Sequence, residues 1–183
     1  MSHFYPDRHL DRLHTTIDYL KHEIVLDRTK IDAVCAVTQE PVPFAERLSL
    51  EYKPIAEGAH WGDLWDCGWF HLTGKVPEGW TGPVVLDLNF GGEACVFDES
   101  GCPVYSLTNG SIFDWDYAKN LYPFLENAKG GETIDLWIET GANGLFGGDI
   151  PADPSWKEDR SKRFGTFNGT TCTNNFSCWH SSV

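Results

Sequence analysis

Residues 81–107 read TGPVVLDLNFGGEACVFDESGCPVYSL, and apolar side chains alternate with other residues through the first half of this run. The alternating positions that would share one face of an extended chain are Val84, Leu86, Leu88 and Phe90. Period-two alternation is typical of a strand with one buried face. After the Gly91-Gly92 pair we expect a strand at Ala94–Phe97, and Asp98–Gly101 predicts a hairpin turn into a strand at 104–107. This part of the chain is therefore predicted to be β.

Similar patterns occur on both sides of this run. Residues 31–37, 69–76 and 133–139 have the composition or alternation of strands, and 164–167 is predicted to add a last one. Pro41 and Pro43 indicate an edge or a connection, because proline cannot donate to a sheet ladder. Short strands, Gly and Pro turns and large aromatic residues together predict a mainly β fold, a β-sandwich spanning 31–183 as a single structural domain.

The first thirty residues have a different period. Pro6 and Asp7 suit a helix start, and apolar residues then recur at steps of three and four, namely Leu10, Leu13, Ile17, Leu20 and Ile24. We therefore predict an N-terminal amphipathic helix in 1–30. We expect its apolar stripe to pack on the sandwich.

Charge and composition exclude several classes of partner. The 183 residues carry 14 Lys and Arg against 27 Asp and Glu, a formal net charge of −13, which disfavours nucleic acid and anionic membranes. No apolar run approaches the length of a membrane span. The polar start at 1–12 and six cysteines without a C-x-x-C pair are the pattern expected of a cytoplasmic chain with free thiols.

Tryptophans in predicted loops are the candidate binding residues. Trp rings stack on the apolar faces of sugars, and acidic or amide neighbours bind sugar hydroxyls. The candidates of this kind are Trp61, Asp63, Trp65 and Trp115. The alternative is that such tryptophans fill the core, which we favour for Trp69 and Trp137 because each lies inside an alternating strand.

No pattern in the sequence predicts a metal centre or a catalytic set. His9 and Asp11 are spaced like metal ligands, but two residues apart on a helix they point in different directions. The histidines form no H-x-H or H-E-x-x-H set, and no nucleophile elbow or phosphate-binding loop is present. The glycine clusters at 91–92 and 144–148 suit tight turns or close backbone approach. We therefore assign no catalytic and no metal-binding residue.

The order of several short motifs resembles the amino-terminal region of alpha-mannosidases of glycoside hydrolase family 38, of the cytosolic and bacterial type. The motifs are Trp61-Gly62, Trp69-Phe70, Val76-Pro77, Gly91-Gly92-Glu93, Asp98-Glu99-Ser100-Gly101-Cys102-Pro103 and Asn143-Gly144-Leu145-Phe146-Gly147. The resemblance implies a galactose-binding-like, jelly-roll β-sandwich behind a leading helix. It adds Asn143 and Phe146 to the residues expected to contact carbohydrate or a neighbouring domain.

The resemblance also implies that catalysis takes place outside this region. Members of the family hydrolyse terminal alpha-D-mannosides in a downstream barrel that holds zinc and an aspartate nucleophile, and none of those residues can be placed on this sequence. We expect a non-catalytic accessory domain that binds no cofactor itself and packs on the catalytic barrel, with homodimer formation through exposed apolar surface as a further expectation.

Two other functions remain open from the sequence. A free-standing carbohydrate-binding module, recognising mannose-containing glycans, would use the loop tryptophans. A small metal-dependent sandwich enzyme is disfavoured by the scattered histidines.

Overall fold

The computed structural model describes residues 6–63, 66–108, 119–142 and 176–181. The chain begins with one helix, α1 (Pro6–Ile24), and continues almost entirely as strands joined by turns. The strands are β1 (Val25–Lys30), β2 (Asp32–Thr38), β3 (Lys53–Pro54), β4 (Cys67–Lys75), β5 (Gly82–Leu88), β6 (Ala94–Phe97), β7 (Pro103–Leu107), β8 (Leu121–Ala128), β9 (Thr133–Gly141) and β10 (Phe176–Ser181). A 3-10 helix, Phe44–Ser49, lies between β2 and β3. None of the helices in these ranges is long and apolar enough to span a membrane.

The strands form two antiparallel sheets. The smaller sheet has the order β1-β10-β5-β8, and the larger has the order β3-β2-β4-β9-β6-β7. Each sheet joins strands that are far apart in sequence, as in double-sheet all-β folds. The prediction of a mainly β sandwich is confirmed.

The core lies between the inner faces of the two sheets. From the smaller sheet β5 contributes the alternating residues predicted from sequence, of which Val84 and Leu86 are fully buried. The larger sheet supplies every second residue of its central strands, including Phe70 and Ile138, which are also fully buried. Because strand side chains alternate, the intervening residues of β4 and β9 point away from this core.

Besides the two-residue β3, three strands were not predicted from the sequence. Strand β1 lies within the segment that we assigned to the helical unit, so the helix ends at Ile24 and residues 25–30 belong to the sandwich. Strand β8 contains Pro123, which an edge strand tolerates, and β8 is an edge of the smaller sheet. Strand β10 inserts between β1 and β5. The predicted strand at 164–167 lies outside the described residues.

Helix α1 is present as predicted, but its apolar stripe is exposed. Leu10, Leu13, Ile17, Leu20 and Ile24 keep between 40% and 56% of their surface accessible. The expectation that this stripe packs on the sandwich is therefore corrected. The core between the sheets is already filled by the strands' own side chains, which leaves the stripe no place there.

This exposure leads to a stability prediction. In dilute solution Leu13→Asp should change the free energy of unfolding of the sandwich by less than about 1 kcal/mol, because an exposed helical site loses little packing. Ile138→Ala, at a fully buried site, should cost about 2–5 kcal/mol. Urea unfolding monitored by tryptophan fluorescence measures both. A loss for Leu13→Asp as large as that for Ile138→Ala would contradict the exposed position of the stripe.

Candidate functional site

The outer face of the larger sheet carries a group of aromatic residues. Trp69, Phe97 and Trp137 come from β4, β6 and β9, at the alternate positions that point away from the core. Phe44, from the 3-10 helix, lies over them, with ring centroids 5.9 Å from Trp69 and 5.5 Å from Phe97. We call these four residues the outer-face aromatic cluster. Residues 42–52 thus cover part of a sheet face that would otherwise be open to solvent.

Arg47 and the ends of residues 42–52 hold this cover in place. The guanidinium carbon of Arg47 lies 3.5 Å from the Phe44 ring centroid and 4.5 Å from that of Trp137, two cation–π contacts. Trp69 Nε1 donates a hydrogen bond to the Val42 carbonyl at 2.8 Å, and the Tyr52 hydroxyl donates to the Arg47 carbonyl at 3.0 Å. Burial raises the pKa of Tyr52 to about 12, so this hydroxyl remains a donor at neutral pH.

His71 extends the cluster along β4. Its ring stacks on that of Trp137 with centroids 4.1 Å apart and an angle of 2° between the planes. Its Nε2 lies 2.8 Å from Oδ1 of Asp135, a neighbour on β9. The imidazole is held on one side by a ring and at its edge by a carboxylate. Both contacts are internal to the sheet face, and they account for the position of His71 without a ligand.

The Asp98–Gly101 turn brings the β6–β7 hairpin against Phe44. Asp98 Oδ1 accepts hydrogen bonds from Ser100 and from the Cys102 backbone, and these lower the pKa of its carboxyl group. Gly101 has φ +84°, and a Cβ added there would lie 2.6 Å from Cδ1 of Phe44. Only glycine satisfies both the backbone conformation and the close approach of the ring.

Substitution of this glycine tests the packing of the cluster. Gly101→Ala should cost the left-handed backbone strain, about 1–2 kcal/mol, plus about 1–3 kcal/mol for displacing Phe44. Gly79→Ala is the matched control, because Gly79 has φ +88° and a Cβ added there would meet no neighbouring atom within 4 Å. Thermal unfolding of both variants gives the difference. Equal losses would mean that Phe44 is not held against the hairpin.

A groove of about 440 Å³ lies along the edge of β2. On this edge the short strand β3 pairs with only two β2 residues, Val34 and Cys35. Its lining combines apolar residues such as Leu50 and Ile55 with Glu51, Lys53 and His60. Trp61 also lines it, but the residue is buried, with its Nε1 donating to the Phe90 carbonyl at 2.9 Å. The interpretation of Trp61 as an exposed stacking ring is therefore corrected, since its ring belongs to the core.

Gly68 explains how Trp61 reaches the core. A Cβ at Gly68 would lie 2.7 Å from Cζ3 of the indole, so the ring occupies the space that a side chain on β4 would take. The indole also meets Phe70 edge to face, with centroids 5.5 Å apart. A tryptophan in a loop is thus drawn inward by a glycine on the neighbouring strand.

Among the other predicted carbohydrate-contact residues, the structure describes only Asp63. Asp63 is exposed, and its Oδ1 lies 3.4 Å from Nε2 of His60. Its backbone N–H donates to Asp66 Oδ2 at 2.7 Å, which closes a local turn. Trp65, Trp115, Asn143 and Phe146 lie outside the described residues. Of the predicted carbohydrate contacts, the described ranges thus include Trp61, whose ring is buried, and Asp63, whose side chain is exposed.

Four of the five thiols of the described region, those of Cys35, Cys67, Cys95 and Cys178, are poor nucleophiles. Burial raises the pKa of Cys35, which lines the groove, to about 12, and that of Cys178 to about 11. Burial also raises the pKa values of Cys67 and Cys95, with a further contribution from the carboxylate of Glu139. These last three side chains line a second groove of about 310 Å³ on the larger sheet. A thiol attacks as the thiolate, so these sites favour inert side chains.

Alkylation measures this directly. At pH 8 in the native state, iodoacetamide should label exposed Cys102 and leave Cys35 and Cys178 unmodified. A pKa of about 12 leaves about one Cys35 thiolate in ten thousand, and a pKa of about 11 leaves about one Cys178 thiolate in a thousand. Peptide mass spectrometry gives the labelled fraction at each position. The same reaction in urea, where all three should react, is the control. Labelling of Cys35 as fast as Cys102 would contradict its burial.

The side chains do not fit a zinc site in the described ranges. No group of three His, Cys, Asp or Glu side chains there converges closely enough to hold a metal ion. His9 and Asp11 lie on the exposed helix α1.

Comparison with known proteins identifies the domain. Residues 28–166 match the family model described as alpha-mannosidase, jelly roll domain. The chain belongs to this family. The match begins within β1 and includes β2 to β9, and it leaves out α1 and β10.

Two curated relatives carry the same name. The chain is 30% identical over 109 residues to alpha-mannosidase G of Dictyostelium discoideum, and 28% identical over 114 residues to human alpha-mannosidase 2C1. These alignments cover 59% and 61% of this chain but only 10% of each relative. Among solved structures, a Faecalibacterium prausnitzii beta-glucuronidase aligns over 87% of this chain and 32% of its own, with a TM-score of 0.40 and 13% identity. The alignments with the two alpha-mannosidases thus span about a tenth of each relative's length.

Proposed function

We propose that this chain acts as a non-catalytic accessory domain of an alpha-mannosidase, an enzyme that removes terminal alpha-D-mannosides. The observation that carries the proposal is the family match over 28–166 combined with the 10% share of each curated relative. A domain of that relative size leaves most of the parent protein for the catalytic unit. In this proposal the zinc of the family is bound by the catalytic unit, and the whole alpha-mannosidase is cytoplasmic.

The chemistry of the described thiols and of His71 supports a structural role. Burial raises the pKa values of the thiols that line the two grooves, Cys35 in the first and Cys67 and Cys95 in the second. The imidazole of His71 is engaged by a stacked indole and by a carboxylate of the neighbouring strand. None of these groups is left poised as a nucleophile or as a general base.

The carboxyl groups of the second groove do not form an enclosed pair. Burial raises the pKa of Glu139, whose neighbours across the strands are Trp69 and Cys95. Glu93 lines the same groove, but it is an exposed residue. A glycosidase of the usual kind needs two carboxyl groups facing each other across the scissile bond. An exposed Glu93 beside a half-buried Glu139 does not enclose a sugar between two such groups.

The outer-face aromatic cluster suits a docking or framework role. Phe44 and Arg47 pack residues 42–52 onto the larger sheet, so contacts within the chain itself hold this surface together. In the proposed arrangement the sandwich packs on the catalytic unit of the parent enzyme through surfaces of this kind.

The proposal predicts that the purified chain does not hydrolyse mannosides. With an aryl alpha-mannoside, release of the phenol should equal that of buffer, with and without added zinc, because the described part of the chain lacks an enclosed pair of carboxyl groups. A complete alpha-mannosidase under the same conditions is the positive control. Turnover above buffer would contradict the proposal. A tryptophan fluorescence change on titration with mannose up to millimolar concentration would instead favour a carbohydrate-binding module.

A further inference from the structure

Helix α1 has a stripe of apolar side chains that the sandwich leaves exposed. Its residues follow steps of three, four, three and four, from Leu10 through Leu13, Ile17 and Leu20 to Ile24. Strict alternation of these steps is the a and d pattern of a coiled-coil seam, which is narrower than the stripe of a helix on a globular core. The spacing therefore points to another helix as the occupant of this face.

We infer that α1 pairs with α1 of a second copy of this chain, in an antiparallel two-helix contact. A two-fold axis near Thr15 would set Leu10 opposite Leu20 of the second copy, and Leu13 opposite Ile17. Each layer then joins one residue of an a position to one of a d position, and the same surface serves both copies, as in a closed dimer.

The charge distribution favours this occupant and this direction. Residues 6–24 contain three basic and four acidic residues, so α1 carries one net negative charge, and the rest of the chain carries the other twelve of the thirteen. The helices can therefore meet without strong repulsion. An antiparallel pair about 28 Å long places the two acidic sandwiches at opposite ends, whereas a parallel pair would bring them together.

Sedimentation velocity of the 183-residue chain tests the pairing. A helix of less than three heptads makes a weak contact, so between about 5 and about 500 μM the average mass should rise from 20.6 kDa toward twice that value. The double variant Leu13→Asp, Ile17→Asp should remain at 20.6 kDa throughout. A wild-type chain that stays monomeric, or that grows beyond a dimer, would overturn the inference, and the stripe would then belong to another part of the parent enzyme.

A matched control separates the stripe from added charge. Thr15→Asp with Tyr19→Asp adds the same two negative charges at exposed positions away from the stripe, and it should dimerise like the wild type. Near-ultraviolet circular dichroism of all the variants reports whether the sandwich is intact. Loss of the dimer in this control as well would show that the effect is electrostatic, and would remove the support for the seam.

The antiparallel direction of the helix pair can be tested with cysteine variants at positions outside the apolar stripe. In the antiparallel pair His14 lies near His14 of the second copy, while Thr15 faces away. Under mild oxidation, His14→Cys should give about fivefold or more disulfide-linked dimer than Thr15→Cys, because the sulfur atoms must approach closely. The unchanged chain gives the background from its own thiols. Equal linking at the two positions would overturn the antiparallel arrangement.

Discussion

The pairing of β4 with β9 determines which residues face each side of the larger sheet. Nine residue pairs run in continuous register from Cys67 with Gly141 to Lys75 with Thr133. In this register Phe70 lies opposite Ile138 on the core side, and His71 lies opposite Trp137 on the outer side. Since strand side chains alternate, a slip of one residue would exchange the two faces. The aromatic residues of the outer face and the aliphatic residues of the core would then both be misplaced.

This register also explains why the outer face has a cover. Trp69 and Trp137 together would leave a large apolar surface in water, and the 3-10 helix supplies Phe44, which packs on Trp69, and Arg47, which lies over Trp137. The guanidinium of Arg47 lies between the rings of Phe44 and Trp137 and so brings a positive charge to a largely apolar surface. The hydrogen bond described for this group goes to the Phe44 carbonyl and not to a carboxylate. The result is a second, smaller packed layer outside the sandwich.

Much of the fold could be predicted from the sequence because period-two alternation is a local signal. The contacts of the outer-face aromatic cluster were harder to predict because they join segments that are distant in sequence. The pattern in 133–139 depends only on one buried face, and Ile134, Leu136 and Ile138 share it. Trp137 lies on the other face, so the prediction that it fills the core between the sheets is wrong. What covers that other face could not be predicted, since nothing local in 44–49 indicates contact with β9. Strand β10 was missed for a similar reason, because its burial depends on two distant strands, β1 and β5. The loop position of Trp61 suggested that its ring is exposed. The ring instead fills the space left by the missing side chain of Gly68 on β4, a contact that the sequence alone does not reveal.

Helix α1 differs from the strands because the described part of the sandwich leaves its apolar face exposed. The apolar faces of the two central strands β4 and β9 are matched by a partner, either the opposite sheet or residues 42–52. Helix α1, by contrast, keeps five large apolar side chains about half exposed. Isolated helices of this length are marginal in water, and amphipathic ones gain most of their stability from tertiary or quaternary packing. A stripe with coiled-coil spacing on such a helix is therefore best understood as half of an interface, and the family match, which begins after α1, indicates that this interface is separate from the jelly roll itself.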